Sequence, residues 1–247
     1  MARWIEGIVV NNVKWTDALY SVHVRAAEIP FTAGQFGRLA LEIDGRTVGR
    51  PYSFVNAPGE DVYEFYSIIV PDGPLSPRLH ALEEGDPVFI GPKGAGFFTL
   101  SMVPEADTLW MLSTGTALGP FLSMLKTDEP WDRFENIVLV HAVRHAKELT
   151  YQNQIKRFLG HDADKFQYIP FVSREETDFA LPGRVPAAIE SGALQQRASL
   201  PMTTQESQIM ICGNPAMVRD TQMLLETQGF APNTRRSRGH ITMENYW

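Results

Sequence analysis

The sequence predicts two units of different class: a closed or nearly closed antiparallel β-barrel over residues 1–101, then a doubly wound parallel α/β sheet over residues 102–247. Three observations carry this. The first hundred positions hold short period-two segments separated by turn residues. The remainder holds continuous apolar runs separated by helical spacings. The texture changes near Ser101 to Glu105.

In the first unit, Tyr20 to Arg25 and Leu39 to Ile43 alternate with period two. The second of these runs into Asp44-Gly45, a two-residue hairpin signal, and returns through Arg46-Thr47-Val48. Phe65 to Val70 and Val88 to Ile90 are further strands. Ser76 as N-cap, with Pro77 after it and Leu79 and Leu82 on one face, predicts a short helix. In the second unit, the buried parallel strands are Thr108 to Leu112, Ile137 to Val140, Tyr168 to Val172 and Gln208 to Cys212. Helices are expected around Leu118, Phe121, Leu122 and Leu125, and over Lys147 to Leu159. A third starts at Asn214-Pro215 and buries Met217, Leu224 and Leu225.

Composition narrows the chemistry. The 247 residues carry 22 Lys+Arg against 29 Asp+Glu, a formal net charge of −7, which disfavours nucleic acid as a partner. With 44% hydrophobic and 21% charged residues, the chain supports a buried core and is not disordered. Cys212 is the single cysteine, so an internal disulfide, a four-cysteine zinc site and a conventional iron–sulfur cluster are excluded. Redox chemistry therefore needs a borrowed cofactor. Only Ile8 to Val10 are apolar before Asn11-Asn12, too few for a signal peptide, and no run approaches the roughly 18 apolar residues of a membrane span. The expectation is a cytoplasmic protein with no membrane partner.

Several segments have the makings of ligand sites. Arg50-Pro51-Tyr52-Ser53 combines a phosphate fork, a flat ring for stacking and a hydroxyl. Ser76 opens a helix, and Gly91-Pro92-Lys93-Gly94 lets backbone approach a ligand. Ser113-Thr114-Gly115-Thr116 follows a strand and opens a helix, where a dinucleotide phosphate loop belongs, although the G-x-G-x-x-G pattern is absent. Cys212-Gly213-Asn214-Pro215 has the same context. Arg144, Arg174 and Arg184 follow strands or lie in loops, and Arg235-Arg236-Ser237-Arg238 is a dense basic run. Taken one at a time, these are ordinary turns, caps, packed thiols and solvated charges. His141 and His145 have i, i+4 spacing, but with His141 on a strand and no acid between them no metal site is expected.

Their order along the chain is more specific. Arg-x-Tyr-Ser, a Ser-capped helix, Gly-Pro-x-Gly, Thr-Gly-Thr before a helix, Cys-Gly-x-Pro and an aromatic terminus together resemble the ferredoxin–NADP reductase superfamily. The short length and the ending Glu244-Asn245-Tyr246-Trp247 resemble its bacterial ferredoxin/flavodoxin branch. The resemblance spans essentially the whole chain. It implies a six-stranded FAD barrel over 1–101 and an NADP domain over 102–247 whose aromatic tail returns to the flavin. It further implies an enzyme passing electrons between NADPH and ferredoxin or flavodoxin, with one non-covalent FAD.

By position, the resemblance gives Arg50 the FAD pyrophosphate, Tyr52 the isoalloxazine stack and Ser53 a hydrogen bond near flavin N5; Pro51 lies between them. Tyr66, Ser67, Ile68 and Ile69, then Pro74, Leu75 and Ser76, line the flavin; Thr116 bridges flavin and nicotinamide. Cys212 stands on the nicotinamide side, Glu244 assists proton traffic, Tyr246 covers the other flavin face and Trp247 a folded adenine. Val143, Arg144, Ser173, Arg174, Arg184, Asn214, Pro215, Ala216 and Asp220 fall at NADP positions, with Arg174 and Arg184 reading the 2′-phosphate. A basic patch of Arg144, Arg174, Arg184, Arg235, Arg236 and Arg238 would dock an acidic carrier, and nothing demands more than a monomer. Two departures stand out: Ala117 replaces a second glycine after Thr116, and Lys93 adds a charge to the Gly-Pro-x-Gly loop. Other readings are a free-flavin, quinone or ferric reductase on the same scaffold, an electron-transfer subunit, and a non-redox nucleotide-binding module.

Overall fold

The computed structural model describes residues 4–246. By their contacts these form two compact units. One comprises the chain to Thr99 with Gly119–Thr127, and the other comprises Leu100–Leu118 with the chain from Asp128. The segment Gly119–Thr127 belongs with the first unit, which a simple division at residue 101 does not capture.

The first unit is a six-stranded antiparallel sheet of β1 (Ile5–Lys14), β2 (Leu19–Ala26), β3 (Phe36–Ile43), β4 (Arg46–Ser53), β5 (Val62–Ile68) and β6 (Pro87–Ile90), ordered β4-β3-β6-β1-β2-β5. The hairpin expected at Asp44-Gly45 is present. Both residues have positive φ, 51° and 70°, the backbone of a type I′ turn that matches the twist of the flanking strands. The edges β4 and β5 do not form a continuous ladder. They meet at one antiparallel bridge, Phe54 to Phe65, extended by the Val55 N–H donating to Glu64 O at 2.9 Å. The expected barrel is thus a curled sheet joined at a single point.

The strand β1 escapes the period-two reading because a register shift between Val9 and Asn11 breaks its alternation. The short helix α1 spans Ser76–Ala81, one residue off the expected cap. Leu75 occupies the cap position, and Ser76 Oγ accepts the Val70 N–H at 2.9 Å instead of capping. Inside the sheet, Phe54 is fully buried, stacked on Phe31 at 4.0 Å and tilted against Phe65 at 5.1 Å. Gly37 lies beneath it: a Cβ there would come within 2.7 Å of the Phe54 ring.

The second unit is a parallel sheet of β7 (Thr108–Thr114), β8 (Asn136–Val143), β9 (Phe166–Val172), β10 (Leu181–Pro182), β11 (Ser207–Gly213) and β12 (Ile241–Asn245), ordered β10-β9-β8-β7-β11-β12. The chain runs outward from β7 through β8 to β10, then crosses back to β11. The topological switch point therefore lies between β7 and β11. The further α-helices of the described residues are α2 (Leu118–Leu125), α3 (Glu129–Arg133), α4 (Gln152–His161), α5 (Val185–Glu190), α6 (Ala193–Ala198) and α7 (Pro215–Thr227). Val185, Ile189, Leu194, Val218 and Leu225 pack from α5, α6 and α7 against Trp110, Val138, Ile169 and Ile209 of the sheet.

The helix expected over Lys147 to Leu159 is two pieces, a short 3-10 turn at Ala146–Glu148 and then α4. Tyr151, at φ 59°, breaks the run between them. On α7 the fully buried positions are Val218, Thr221 and Leu225, with Met217 and Leu224 half-buried beside them. Among the described residues no helix is long and apolar enough to cross a membrane.

Truncating Phe54 removes a ring that no neighbour can replace. Phe54→Ala is expected to destabilise the first unit by about 3–5 kcal/mol in chemical denaturation; a loss below about 1 kcal/mol would contradict this packing.

Candidate functional site

The expected site residues divide between the two units. In the first, β4 presents Arg50 and Pro51 exposed, Tyr52 half-buried and Ser53 buried. The Arg50 guanidinium reaches no further than the neighbouring Gly49 carbonyl, at 2.9 Å. Ser53 is only 2% exposed, yet its Oγ has no hydrogen-bond partner among the described residues. A buried hydroxyl left unsatisfied costs about 1–3 kcal/mol, which a ligand atom would recover. Burial pushes the Tyr52 hydroxyl up to about 12, against the opposing pulls of Ser67 hydrogen bonding and the Arg50 charge, so it is a neutral donor at pH 7. Tyr66, Ser67 and Leu75 are buried, Ile68 and Pro74 exposed and Ile69 half-buried, and Ser76 is held by Val70 as above. Lys93 is exposed in the loop after β6.

In the second unit, Thr114 ends β7 and Gly115-Thr116-Ala117 make a 3-10 turn at the switch point. Gly115 has φ +55°, and no atom lies within 4 Å of where its Cβ would stand, so the turn leaves open space that Ala117, itself buried, does not fill. Across the same point, Gly213 has φ +145° and an added Cβ would collide with Thr114 Oγ1. That oxygen accepts the Asn214 N–H at 2.9 Å, while the Asn214 side chain caps α7 by accepting from Ala216 N (3.0 Å) and Met217 N (3.4 Å). Asn214, Pro215, Ala216 and Asp220 are exposed at this helix start.

The C-terminal tail is a strand. The parallel register of β11 and β12 sets Cys212 opposite Glu244, and the Tyr246 N–H continues the ladder to Gly213 O at 3.0 Å. Cys212 is fully buried, and burial followed by the Glu244 charge pushes its thiol well above the ordinary range, so it remains protonated. Burial also lifts the Glu244 carboxyl to about 7, and its Oε2 is buried without a partner among the described residues. This carboxyl therefore gains or loses its proton near neutral pH, as a proton donor to a ligand must. Trp247 lies outside the described residues.

The ends of β8 and β9 are tied together by the Ser173 N–H to Val143 O (3.1 Å) and the Arg174 N–H to Arg144 O (2.9 Å). They raise Arg144 and Arg174 at the C-terminal edge of the sheet, with Arg184 at the start of α5. All three are exposed and form no ion pair with a described residue. The loop Arg235 to Arg238 precedes β12, at the opposite, N-terminal edge, where the Arg238 guanidinium donates to Met102 O at 2.7 Å. Five to seven strand residues, roughly 16–23 Å, separate the two edges. The six arginines are therefore two clusters and not one patch.

Comparison with known proteins adds the family. A profile of the oxidoreductase NAD-binding domain matches residues 111–223. Flavodoxin/ferredoxin–NADP reductases of Shigella flexneri and of Escherichia coli K12 are each 52% identical over 252 residues, covering all of both chains. The chain belongs to the flavodoxin/ferredoxin–NADP reductases. A ferredoxin NADP+ reductase from Neisseria gonorrhoeae, solved with bound FAD and NADP, superposes with a TM-score of 0.95 at 30% identity over the full length of both chains.

In this flavodoxin/ferredoxin–NADP reductase, the turn at Gly115 rests on a buried support that no motif in the sequence marks. His141 is fully buried in β8. Burial lowers its pKa to about 4, with the Gly115 backbone opposing, so the ring is neutral at pH 7. Gln152 Nε2 donates to Tyr168 Oη at 3.1 Å, and the Tyr168 hydroxyl is hydrogen-bonded to His141 Nδ1 at 3.4 Å. The signal was a histidine interrupting an apolar strand. His145 instead faces Glu175 at 3.9 Å, so the i, i+4 pair shares no helix face.

The Glu244 shift has a sign. Its carboxyl stays protonated in the folded chain up to about 7 but ionises near 4.5 when unfolded, so its contribution to stability is full below 4.5 and is lost as pH rises toward 7. Denaturation midpoints measured from pH 4.5 to 8 should fall less steeply for Glu244→Gln than for the parent chain. Parallel profiles would show that the carboxyl is not perturbed.

Proposed function

We propose that the chain is an FAD-dependent oxidoreductase that exchanges electrons between NADPH and the one-electron carriers ferredoxin and flavodoxin, as the names of its relatives indicate. The observation that carries the reading is Ser53: a buried hydroxyl without a partner, closing a strand whose preceding residues offer a guanidinium and a half-buried ring. That set fits a flavin dinucleotide. The open turn at Gly115 and the three exposed arginines, two following strands and one at the start of α5, fit a phosphorylated nicotinamide dinucleotide. Bound FAD supplies the step from two electrons to one, accepting hydride from a nicotinamide and releasing electrons singly.

The chain's own residues then bind, orient and manage protons. Arg50 would hold the pyrophosphate as a fork, Tyr52 would offer its ring to the isoalloxazine, and Ser53 would donate at the ring edge. Arg174 and Arg184 would hold the 2′-phosphate, which NADH lacks. Thr116 and the protonated Cys212 would shape the nicotinamide position without reacting, and Glu244 would hold or yield the proton at its carboxyl. Tyr246, continuing β12, would cover the flavin. The reading is of a cytoplasmic enzyme for which a monomer suffices.

For the carrier, the C-terminal-edge arginines lie on the side of the proposed chemistry, whereas the Arg235–Arg238 loop, an edge away, acts by long-range attraction. The test is turnover with NADPH and purified flavodoxin or ferredoxin. Rates that depend on the carrier support the reading. Reduction of free flavin, quinone or ferric chelate alone would turn it toward a general reductase.

Two predictions follow from the arginine clusters. Replacing both Arg174 and Arg184 by alanine should raise KM for NADPH by on the order of tenfold or more while leaving NADH kinetics nearly unchanged; equal effects on both nucleotides would remove the phosphate role. Arg236→Glu should slow carrier reduction a few-fold at low salt, fading toward 0.5 M as charges are screened, with NADPH-driven dye reduction intact. A rate unchanged at every salt concentration would remove the steering role.

A further inference from the structure

The bulge in β1 decides which of its residues face α1. Val9 pairs with Val24, and both are buried in the core with Val22 and Tyr20. Period two from Val9 would turn Asn11 and Val13 inward. The register shift between Val9 and Asn11 instead pairs Asn12 with Val22 and Lys14 with Tyr20. Directly paired residues of antiparallel strands share a face, so Asn12 and Lys14 stand on the side where Leu79 of α1 is buried.

There they meet the end of the helix. The Asn12 amide donates to the carbonyls of Leu79 (3.0 Å), His80 (3.2 Å) and Leu82 (2.9 Å), and the Lys14 ammonium donates to the His80 carbonyl. The last carbonyls of a helix meet no N–H of a following turn, so their donors must come from elsewhere. Asn12 suits this place. Its Nδ2 carries two protons for three clustered acceptors, while its Oδ1 is buried with no partner among the described residues. The start of α1 is held separately: Tyr20 Oη donates to Ser76 O, and Ser76 Oγ accepts the Val70 N–H, both at 2.9 Å. The Tyr20 ring also packs edge-on against His80 at 5.2 Å, with Lys14 Nζ 5.6 Å from its centre.

We infer that Asn12 is a positioning residue for the cofactor: with Lys14 it clamps the C-terminal end of α1 to the sheet, and so fixes where Pro74, Leu75 and Ser76 meet the flavin. The helix has six residues, about 9 Å, so a shift at one end is carried to the other. The inference rests on the flavin reading proposed above and extends it to two residues of β1 to which that reading gives no role.

Two substitutions of similar size remove the donors. Asn12→Leu sets an apolar side chain against the three carbonyls, and Asn12→Asp sets acceptors against them. Each should raise the FAD dissociation constant, read from flavin fluorescence, roughly tenfold, the size of one or two lost hydrogen bonds. Each should also change the visible circular dichroism of the flavin at saturation. Lys14→Met, which keeps the stem, should weaken FAD binding roughly two- to fivefold. In the apoprotein, amide hydrogen exchange over residues 74–82 should quicken in both Asn12 variants, while β3 and β4 exchange as in the parent. Quickened exchange with the parent's dissociation constant and dichroism would make Asn12 a stability residue only and overturn the inference. Unchanged exchange would overturn it too. A parent chain that binds no FAD would refute the flavin reading and the cofactor role with it, leaving the exchange data to judge the clamp alone.

Discussion

The chemistry of the second unit depends on one strand pairing, β12 laid parallel on β11. That ladder puts Glu244 beside Cys212, carries Tyr246 past Gly213, and places both at the switch point where Thr114 and Gly115 turn away from β7. The local environment follows from the pairing. Burial raises the proton affinity of both groups, and at Cys212 the Glu244 charge adds to it, so the thiol stays protonated and the carboxyl titrates near neutrality. Parallel orientation also sends the two ends of β12 to opposite edges of the sheet, separating the Arg235–Arg238 loop from the arginines that follow β8 and β9.

The first unit relies on a different device. Its sheet curls until the ends of β4 and β5 meet at Phe54 and Phe65, residues eleven apart in sequence. The packing at the bridge is dense: Phe31, Tyr63 and Phe65 surround Phe54, and Gly37 exists because nothing larger fits below the ring. Phe54, which closes the sheet, lies two positions from Tyr52, the ring proposed to meet the flavin, so packing at the bridge and the proposed site share one strand end.

Much of this was legible in the residues. Apolar runs without alternation located β7, β8, β9 and β11. Asp44-Gly45 located the hairpin, and Asn214-Pro215 located the cap of α7, because each rests on local stereochemistry. What escaped was non-local. The segment Ile241–Asn245 is too polar to read as a buried strand and becomes one only through its partner. A bulge hides β1, and the positive φ at Tyr151 splits a continuous helical pattern. Sequence proximity likewise could not tell that six arginines occupy two edges of the sheet. Ser53, Arg50 and Cys212 were visible as residue types, but the unmet hydrogen bond of Ser53 among the described residues and the shared ladder of Cys212 and Glu244 required the fold.

The central claim is a flavin that takes hydride from a phosphorylated nicotinamide. The most direct measurement is an anaerobic visible-absorption titration of the purified protein with NADPH and NADH in parallel. The account predicts flavin bands that bleach at far lower NADPH than NADH. A protein with no flavin bands even after FAD is added would contradict it outright, and equal bleaching by both nucleotides would leave the flavin but overturn the roles given to Arg174 and Arg184.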